Sequence, residues 1–277
     1  MRVKVGNRRF GLLLLALLVP LGLWLLVMSS ASAESNPEPG DIVEAAWENA
    51  REAGAYHFSS DIAQVAIPAA TIRNIGNSSQ EDRFYLEGQT DLRSQEMRMQ
   101  LLSDSTGGGS LLIPDSGIQI ESVDGVTRAR QGNGEWETID SFAEGFAPQG
   151  DFMAYLAAAS DVTELEEEVR QGIRIRRFGF DVDGPAFASY LRDQMQATLR
   201  AQGDLPPKVE LGPSDYYAGM RGTGELWIGD DGLPIRQVLD LRFPEQDGER
   251  LDVQIKVDFS KFAEPAGQLA FFGDGEQ

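Results

Sequence analysis

The sequence predicts an α+β fold in which strands and helices are segregated, and three observations carry that expectation. Strand-period alternation of apolar and polar residues dominates from Tyr56 to Ile139 and again from Gly222 to Phe259. Helix-period stripes are few, near residues 42–53, 152–159 and 187–199, and do not alternate one-for-one with strands as a βαβ chain requires. No segment repeats, and composition breaks only once, after residue 33. A leader over 1–33 followed by a single domain over 34–277 is the economical organisation.

The leader reads as a signal peptide. Arg2, Lys4, Arg8 and Arg9 form a positive start, Phe10–Met28 is apolar, and Ala31-Ser32-Ala33 is a small-residue cleavage pattern before Glu34. The apolar run approaches the ~20 residues that span a bilayer, and a membrane helix tolerates Pro20, so an uncleaved anchor is the alternative. Either way the positive flank precedes the apolar run, which places the body of the chain outside the cytoplasm, periplasmic or extracellular.

The first helix is predicted from Asp41 and Glu44, spaced as a capping box. Ile42, Val43, Ala46, Trp47, Ala50 and Ala53 share one face, and Gly54 stands at the C-cap. A strand through Ile67 ends at Pro68. Phe84, Leu86, Gly88, Thr90 and Leu92 alternate next, and Met97, Met99 and Leu101 follow a reversal at Ser94-Gln95. Ser103–Ser110 is glycine-rich, but no Lys-Ser/Thr follows, so it is a loop rather than a phosphate cradle. Three short strands at Ile118–Ile120, Val126–Arg130 and Trp136–Ile139 are joined by turns at Asp124-Gly125 and Gly132–Gly134. Beyond an irregular Ser141–Gly150, Asp151 is placed to cap a helix carrying Phe152, Tyr155, Leu156 and Ala159. Glu164–Glu168 reads as its solvated continuation. Ile173 and Ile175 begin a strand whose apolar face continues at Phe178, Phe180 and Val182 in the opposite phase, predicting a β-bulge at Arg176-Arg177. Pro185 opens a last helix lined by Phe187, Tyr190, Leu191, Met195 and Leu199, ending before Gly203 and Pro206-Pro207.

The C-terminal stretch is the most decisive. Leu226 and Ile228 alternate with Glu225 and Trp227, and Gly229–Gly232 supplies residues tolerant of positive φ. Leu233, Ile235, Gln237, Leu239, Leu241 and Phe243 return on one face, with Pro234 confined to the strand's first turn or to an edge. Leu251, Val253, Ile255, Val257 and Phe259 form a third strand against Asp252, Gln254, Lys256 and Asp258. The chain ends in an antiparallel meander with one apolar face.

This meander, with Glu225-Leu-Trp-Ile-Gly-Asp-Asp-Gly-Leu-Pro-Ile-Arg236 at its centre, resembles the LolA-like lipoprotein carriers, in the branch that includes the mycobacterial lipoproteins LppX and LprG. The resemblance covers most of the chain after the leader, by order of elements. It implies a curved antiparallel half-barrel closed by helices, with an acyl chain or lipid held between sheet and helices. Periodicity alone equally allows a flat sheet with helices on one face. Lipidated relatives carry a cysteine directly after the leader. Here that position is Glu34 and the chain has no cysteine, so no lipid anchor is expected there.

Composition narrows the chemistry. The chain has 44 acidic and 24 basic residues, and without the four leader cations it carries a net charge of −24. Such a surface repels nucleic acid and anionic membranes, so neither is an expected partner, though habitat alone can select acidity. His57 is the one histidine, and with no cysteine the usual zinc and iron ligand sets are missing. No Gly-x-Ser-x-Gly elbow or Ser-x-x-Lys pair occurs. Asp181-Val-Asp183-Gly184 has the start of a calcium loop without its later ligands, and a strand-to-helix turn accounts for it better. Asp230-Asp231 reads as turn chemistry. Carboxylates are abundant, but none is singled out as a glycosidase pair. Asn77-Ser78-Ser79 fits a glycosylation acceptor and reads as a loop tripeptide. No enzyme, cofactor or metal is expected.

The expectation is a non-enzymatic carrier or sensor of the cell envelope for a hydrophobic ligand, a lipid or acyl chain. Its lining would be Phe84, Leu86, Met97, Met99, Tyr155, Leu156, Phe187, Leu191, Leu226, Ile228, Leu251, Val253 and Ile255, with methionines adapting to irregular cargo. The same residues also suit an ordinary core, because periodicity does not report volume. The same fold is also used by envelope-stress sensors, so a sensor or structural module that binds a membrane or envelope protein without cargo is the alternative.

Overall fold

The long strand β1, Ala55–Pro68, is the axis of the sheet: it pairs along its length with β2 (Gln80–Asp91) on one side and β12 (Glu249–Ser260) on the other. The computed structural model of the protein describes residues 37–103, 117–123, 126–139, 146–170 and 172–264. The leader, most of the glycine-rich loop after Ser103, the Asp124-Gly125 turn and the first part of the irregular Ser141–Gly150 stretch lie outside the described residues.

Beyond β2 the sheet continues through β3 (Glu96–Ser103), β4 (Ile118–Val123), β5 (Val126–Gln131) and the two-residue β6 (Glu137–Thr138). Beyond β12 come β11 (Pro234–Arg242), β10 (Arg221–Ile228) and β9 (Ile173–Asp183). β7 (Ala159–Glu164) and β8 (Glu168–Arg170) pair with successive parts of β9. Every neighbour is antiparallel, and the edges do not meet, so this is an open half-barrel rather than a closed one. A sheet this wide must coil, because each strand is rotated against the next. Glycines ease the bend: Gly88 lies opposite Phe58 and Gly224 opposite Phe180, and each ring covers the bare backbone of its partner.

The inner face is set by register. Leu101, Leu86, Ser60, Val257, Gln237, Leu226 and Phe178 form one continuous row across seven strands. All seven are buried. The final meander forms as the sequence predicts, with Pro234 opening β11 and Gly232 at φ 75 in the turn.

Two helices cover this face. α1 spans Pro39–Ala53 and ends at Gly54 in the left-handed region, φ 79. α2 spans Gly184–Gln202; the Asp183 carboxylate accepts from the Ala186 N–H at 2.8 Å, which makes Asp181–Gly184 the expected strand-to-helix turn. A single turn, α3 (Asp215–Ala218), packs beside α2.

Five expectations are corrected. α1 begins two residues early at Pro39, with Glu38 as an N-cap that makes no side-chain bond, so Asp41 and Glu44 do not form the cap. Residues 152–159 are not an α-helix: Ala154–Ala158 is a 3-10 turn, and Phe152–Leu156 are buried all round, so there is no stripe to select one face. Glu164–Glu168 is not a helical continuation, because it joins β7 to β8. The bulge at Arg176-Arg177 is absent, since both keep an unbroken ladder with Ile228 and Trp227. Ile175 is buried on the opposite face, apart from the main core, and the register shifts fall opposite β11 at Trp227/Ile228 and in β7 between Ser160 and Thr163, where Asp161 takes φ 50. Met195 leaves the helix stripe and is 49% exposed.

Candidate functional site

Inside the half-barrel, the space between sheet and helices is occupied by a strap of chain from Phe146 to Ala158. Phe146, Ala147, Phe152, Met153, Ala154 and Tyr155 on it are all buried. It is not regular: Gln149 and Gly150 both take positive φ before the 3-10 turn begins. A buried segment outside sheet and helix must find hydrogen-bond partners elsewhere, and here the sheet's own side chains supply them.

Thr90 Oγ1 donates to the Gly150 carbonyl at 2.7 Å. Tyr56 donates its hydroxyl proton to Asp151 Oδ1 at 2.8 Å and accepts from the Phe152 N–H at 3.0 Å. The same Asp151 oxygen accepts from the Met153 N–H at 2.9 Å. Gln237 Nε2 donates to the Phe152 carbonyl at 2.8 Å. Three strands thus hold three successive residues of the strap, Gly150 to Phe152, and Asp151 in turn holds Met153.

Rings complete the fit. Phe152 meets Phe58 at 4.5 Å between centroids, and Tyr155 stacks on Phe187 of α2 at 4.4 Å. Phe187 in turn meets Tyr217 edge-on at 5.5 Å.

The electrostatics follow from burial. Desolvation pushes the Asp151 carboxyl up from its ordinary 3.8. The Met153 N–H, the Tyr56 hydroxyl, the Trp47 indole N–H and the Arg51 charge pull it back in part. Trp47 Nε1 falls short of hydrogen-bond geometry, so Met153 and Tyr56 are the donors that bond the carboxylate. Tyr56 is held well above its ordinary value by burial and then by the Asp151 charge. Tyr155 is raised by burial and by Tyr217 and Tyr216. Both tyrosines keep their hydroxyl protons as long as the strap is in place.

Two acceptors on the same inner-face row are buried without partners: Ser60 Oγ and Gln237 Oε1, on either side of Val257. Such groups carry a desolvation cost that a donor from outside the chain would relieve.

The structure brings all thirteen predicted lining residues to this interior. Leu86, Met97, Met99, Tyr155, Leu156, Phe187, Leu226, Ile228, Val253 and Ile255 belong to one buried cluster, and Phe84, Leu191 and Leu251 pack half-buried against it. Sequence reasoning missed the polar anchors Tyr56, Thr90, Asp151 and Gln237. Gln237 carried a readable signal, a polar residue inside an apolar alternation. Asp151 has the sequence signature of an N-cap, and that signature hides its role as an anchor.

The outer face carries a different concavity, an open trough of about 910 Å³. Arg83, Asp181, Arg221, Asp240, Arg242 and Asp252 line it, and of the thirteen predicted residues only Val253 borders it. His57 lies on β1 between Gln89 and Ser260, its pKa lowered by partial burial and by Lys261. Among the described residues no group of three or more His, Cys, Asp or Glu could hold a metal ion, and no helix is long and apolar enough to cross a membrane.

No family model and no curated protein matches the chain. Among solved structures it is similar to the lipoprotein LppX of Mycobacterium tuberculosis, at 11% identity over 84% of this chain and 99% of that one, with a TM-score of 0.44. It is also similar to LprF of Mycobacterium bovis, at 11% identity over 84% and 96%, with a TM-score of 0.41. At such identity no residue's role passes from them to this chain.

Proposed function

We propose that this protein is an exported, non-enzymatic carrier or sensor that shields a lipid or acyl chain inside the half-barrel. One observation carries the reading: the apolar face of an open sheet is covered at its centre by an aromatic, largely non-helical strap rather than by a third helix. Short 3-10 and irregular segments hold themselves in place weakly. What keeps the strap seated is a handful of side-chain bonds and ring contacts, and moving it would uncover an apolar lining made of the eleven predicted lining residues that lie on the sheet and α2, since Tyr155 and Leu156 belong to the strap itself. Cargo would replace the strap's side chains against Leu86, Met99, Leu226 and Ile255. Its polar end would find acceptors at Ser60 and Gln237.

The test is the protein purified from its host, examined by native mass spectrometry and by lipid extraction. Co-purifying lipid is expected, and Ile228→Trp is expected to reduce its occupancy by occupying the lining. If the parent carries no lipid and Ile228→Trp costs the roughly 1–3 kcal/mol of an overpacked core, the interior is a core and the carrier reading fails.

A further inference from the structure

The turn between β1 and β2 does something that no interior argument explains: it puts isoleucines in water. Ile72 is 88% and Ile75 80% exposed, the two highest values among the exposed large hydrophobic residues. They lie three apart, on and just after a 3-10 turn at Ile72–Asn74, at the far end of the longest hairpin arm.

The projection is built rather than loose. Ala69 N–H donates to the Gly248 carbonyl at 2.8 Å, and Asn74 Nδ2 reaches both the Ala69 carbonyl at 2.9 Å and the Gly248 carbonyl at 3.1 Å. Asn74 N–H closes the turn on the Thr71 carbonyl at 3.1 Å, and Asn77 N–H bonds the Asn74 carbonyl at 3.0 Å. These bonds tie the tip to the β11–β12 turn.

Charge sets the tip apart. Between Asp61 and Glu81 the chain has no acidic residue, the longest such stretch after residue 34 in a sequence with 44 acids. Asn77, Ser78, Ser79 and Gln80 on its return side are polar and uncharged. The other exposed apolar pair, Val169 and Ile173, sits instead among ion pairs, Glu168 with Arg170 and Glu167 with Arg174.

We propose that this tip is a membrane-contact site, which dips Ile72 and Ile75 into the interfacial layer of a zwitterionic lipid surface. A bilayer needs only apolar depth from its ligand. A protein partner needs about 800 Å² from each side, which a convex tip with two isoleucines does not offer. An acid-free tip on an otherwise anionic protein approaches a neutral surface without repulsion. Strongly anionic lipid is disfavoured by Glu245, Asp247 and Glu249 around the bracing turn. The inference is independent of cargo, since it concerns only where the protein touches lipid.

The chain has no cysteine, so one introduced at Ile75 can be labelled alone with an environment-sensitive fluorophore, beside a control at Gln254 on the outer face. Titrating the purified full chain with phosphatidylcholine vesicles is expected to blue-shift and brighten the label at position 75 and leave the control unchanged. Replacing part of the lipid by phosphatidylglycerol should weaken the response. In flotation assays, Ile72→Ser with Ile75→Ser should weaken binding about tenfold or more for each isoleucine removed, at an unchanged melting temperature. A silent label at 75 overturns the proposal. So does an equal response at the control, a response to protein concentration without lipid, which marks self-association, or binding that survives the double substitution.

Discussion

Asp151 gives the sharpest test of whether the strap is held as the structure shows. Asp151→Ala removes the acceptor for two buried donors, the Tyr56 hydroxyl and the Met153 N–H. Each unsatisfied buried group costs about 1–3 kcal/mol, and deleting a desolvated carboxyl returns part of that. A net loss of about 2–4 kcal/mol is expected, which for a chain of this size lowers the melting temperature by about 5–15 °C. Asp151→Asn separates charge from hydrogen bonding, because an amide oxygen still accepts both bonds. The sign of the pH effect is fixed by the raised carboxyl. The folded state holds its proton more tightly than the unfolded state does, so wild-type stability falls as pH rises from about the ordinary value of 3.8 through the raised folded value. Asp151→Asn has no such proton to lose. The two proteins should therefore melt most alike at the acid end, with the variant gaining on wild type as pH rises to neutral. Circular-dichroism melts of wild type and both variants across that range measure this directly. If Asp151→Ala melts with wild type at neutral pH, the Tyr56–Asp151–Met153 anchor does not hold the strap. A wild-type minus Asn difference that stays flat with pH would show that the carboxyl is not desolvated.

Two further outcomes are expected. N-terminal sequencing of the protein from its host should begin at Glu34; Met1 in a membrane fraction would show the leader to be an anchor. Gly88→Ala should cost at least about 1–3 kcal/mol in chemical denaturation, because a Cβ there would press on the Arg98 carbonyl and stand 2.6 Å from the Phe58 ring. A neutral substitution would mean that the sheet is not pinned at this bend.

Much of the fold was legible because strands report themselves locally. Leu251–Phe259 and Leu226–Ile228 alternate with period two, and that alternation alone assigns their buried face. The curvature was also partly written in the chain. Gly88, Gly222 and Gly224 sit where large inward residues would be expected, and each gives the sheet room to bend. What failed had no local signal. Phe152, Tyr155, Leu156 and Ala159 satisfy helical spacing, yet Met153 and Ala154 are buried too, and a segment buried on every side has no stripe to read. Ile175 misled for the reverse reason: it is buried on the outer face, so the phase change looked like a bulge in a strand whose ladder runs straight.

The candidate site divides along the same line. That its apolar residues face inward was readable, because eleven of the thirteen lie in strand alternation or on the α2 stripe and converge whenever the sheet and helices pack at all, while Tyr155 and Leu156 reach the interior on the irregular strap. Its polar frame was not, since Tyr56, Thr90 and Gln237 matter only through bonds to a strap that is 60 to 96 residues away in sequence. Convergence of the lining cannot by itself tell a chamber from a core, because both need the same inward faces. The polar frame can. A core selected for stability alone has no use for Ser60 and Gln237 oxygens buried without donors in the middle of an apolar row, although the Gln237 amide nitrogen does serve the Phe152 carbonyl. Ser60→Ala with Gln237→Leu is therefore the substitution that weighs the two. In a core it removes buried unpaired acceptors, although it also frees the Phe152 carbonyl. In a chamber it removes the acceptors that a polar lipid end would meet, so lipid occupancy falls while the fold persists.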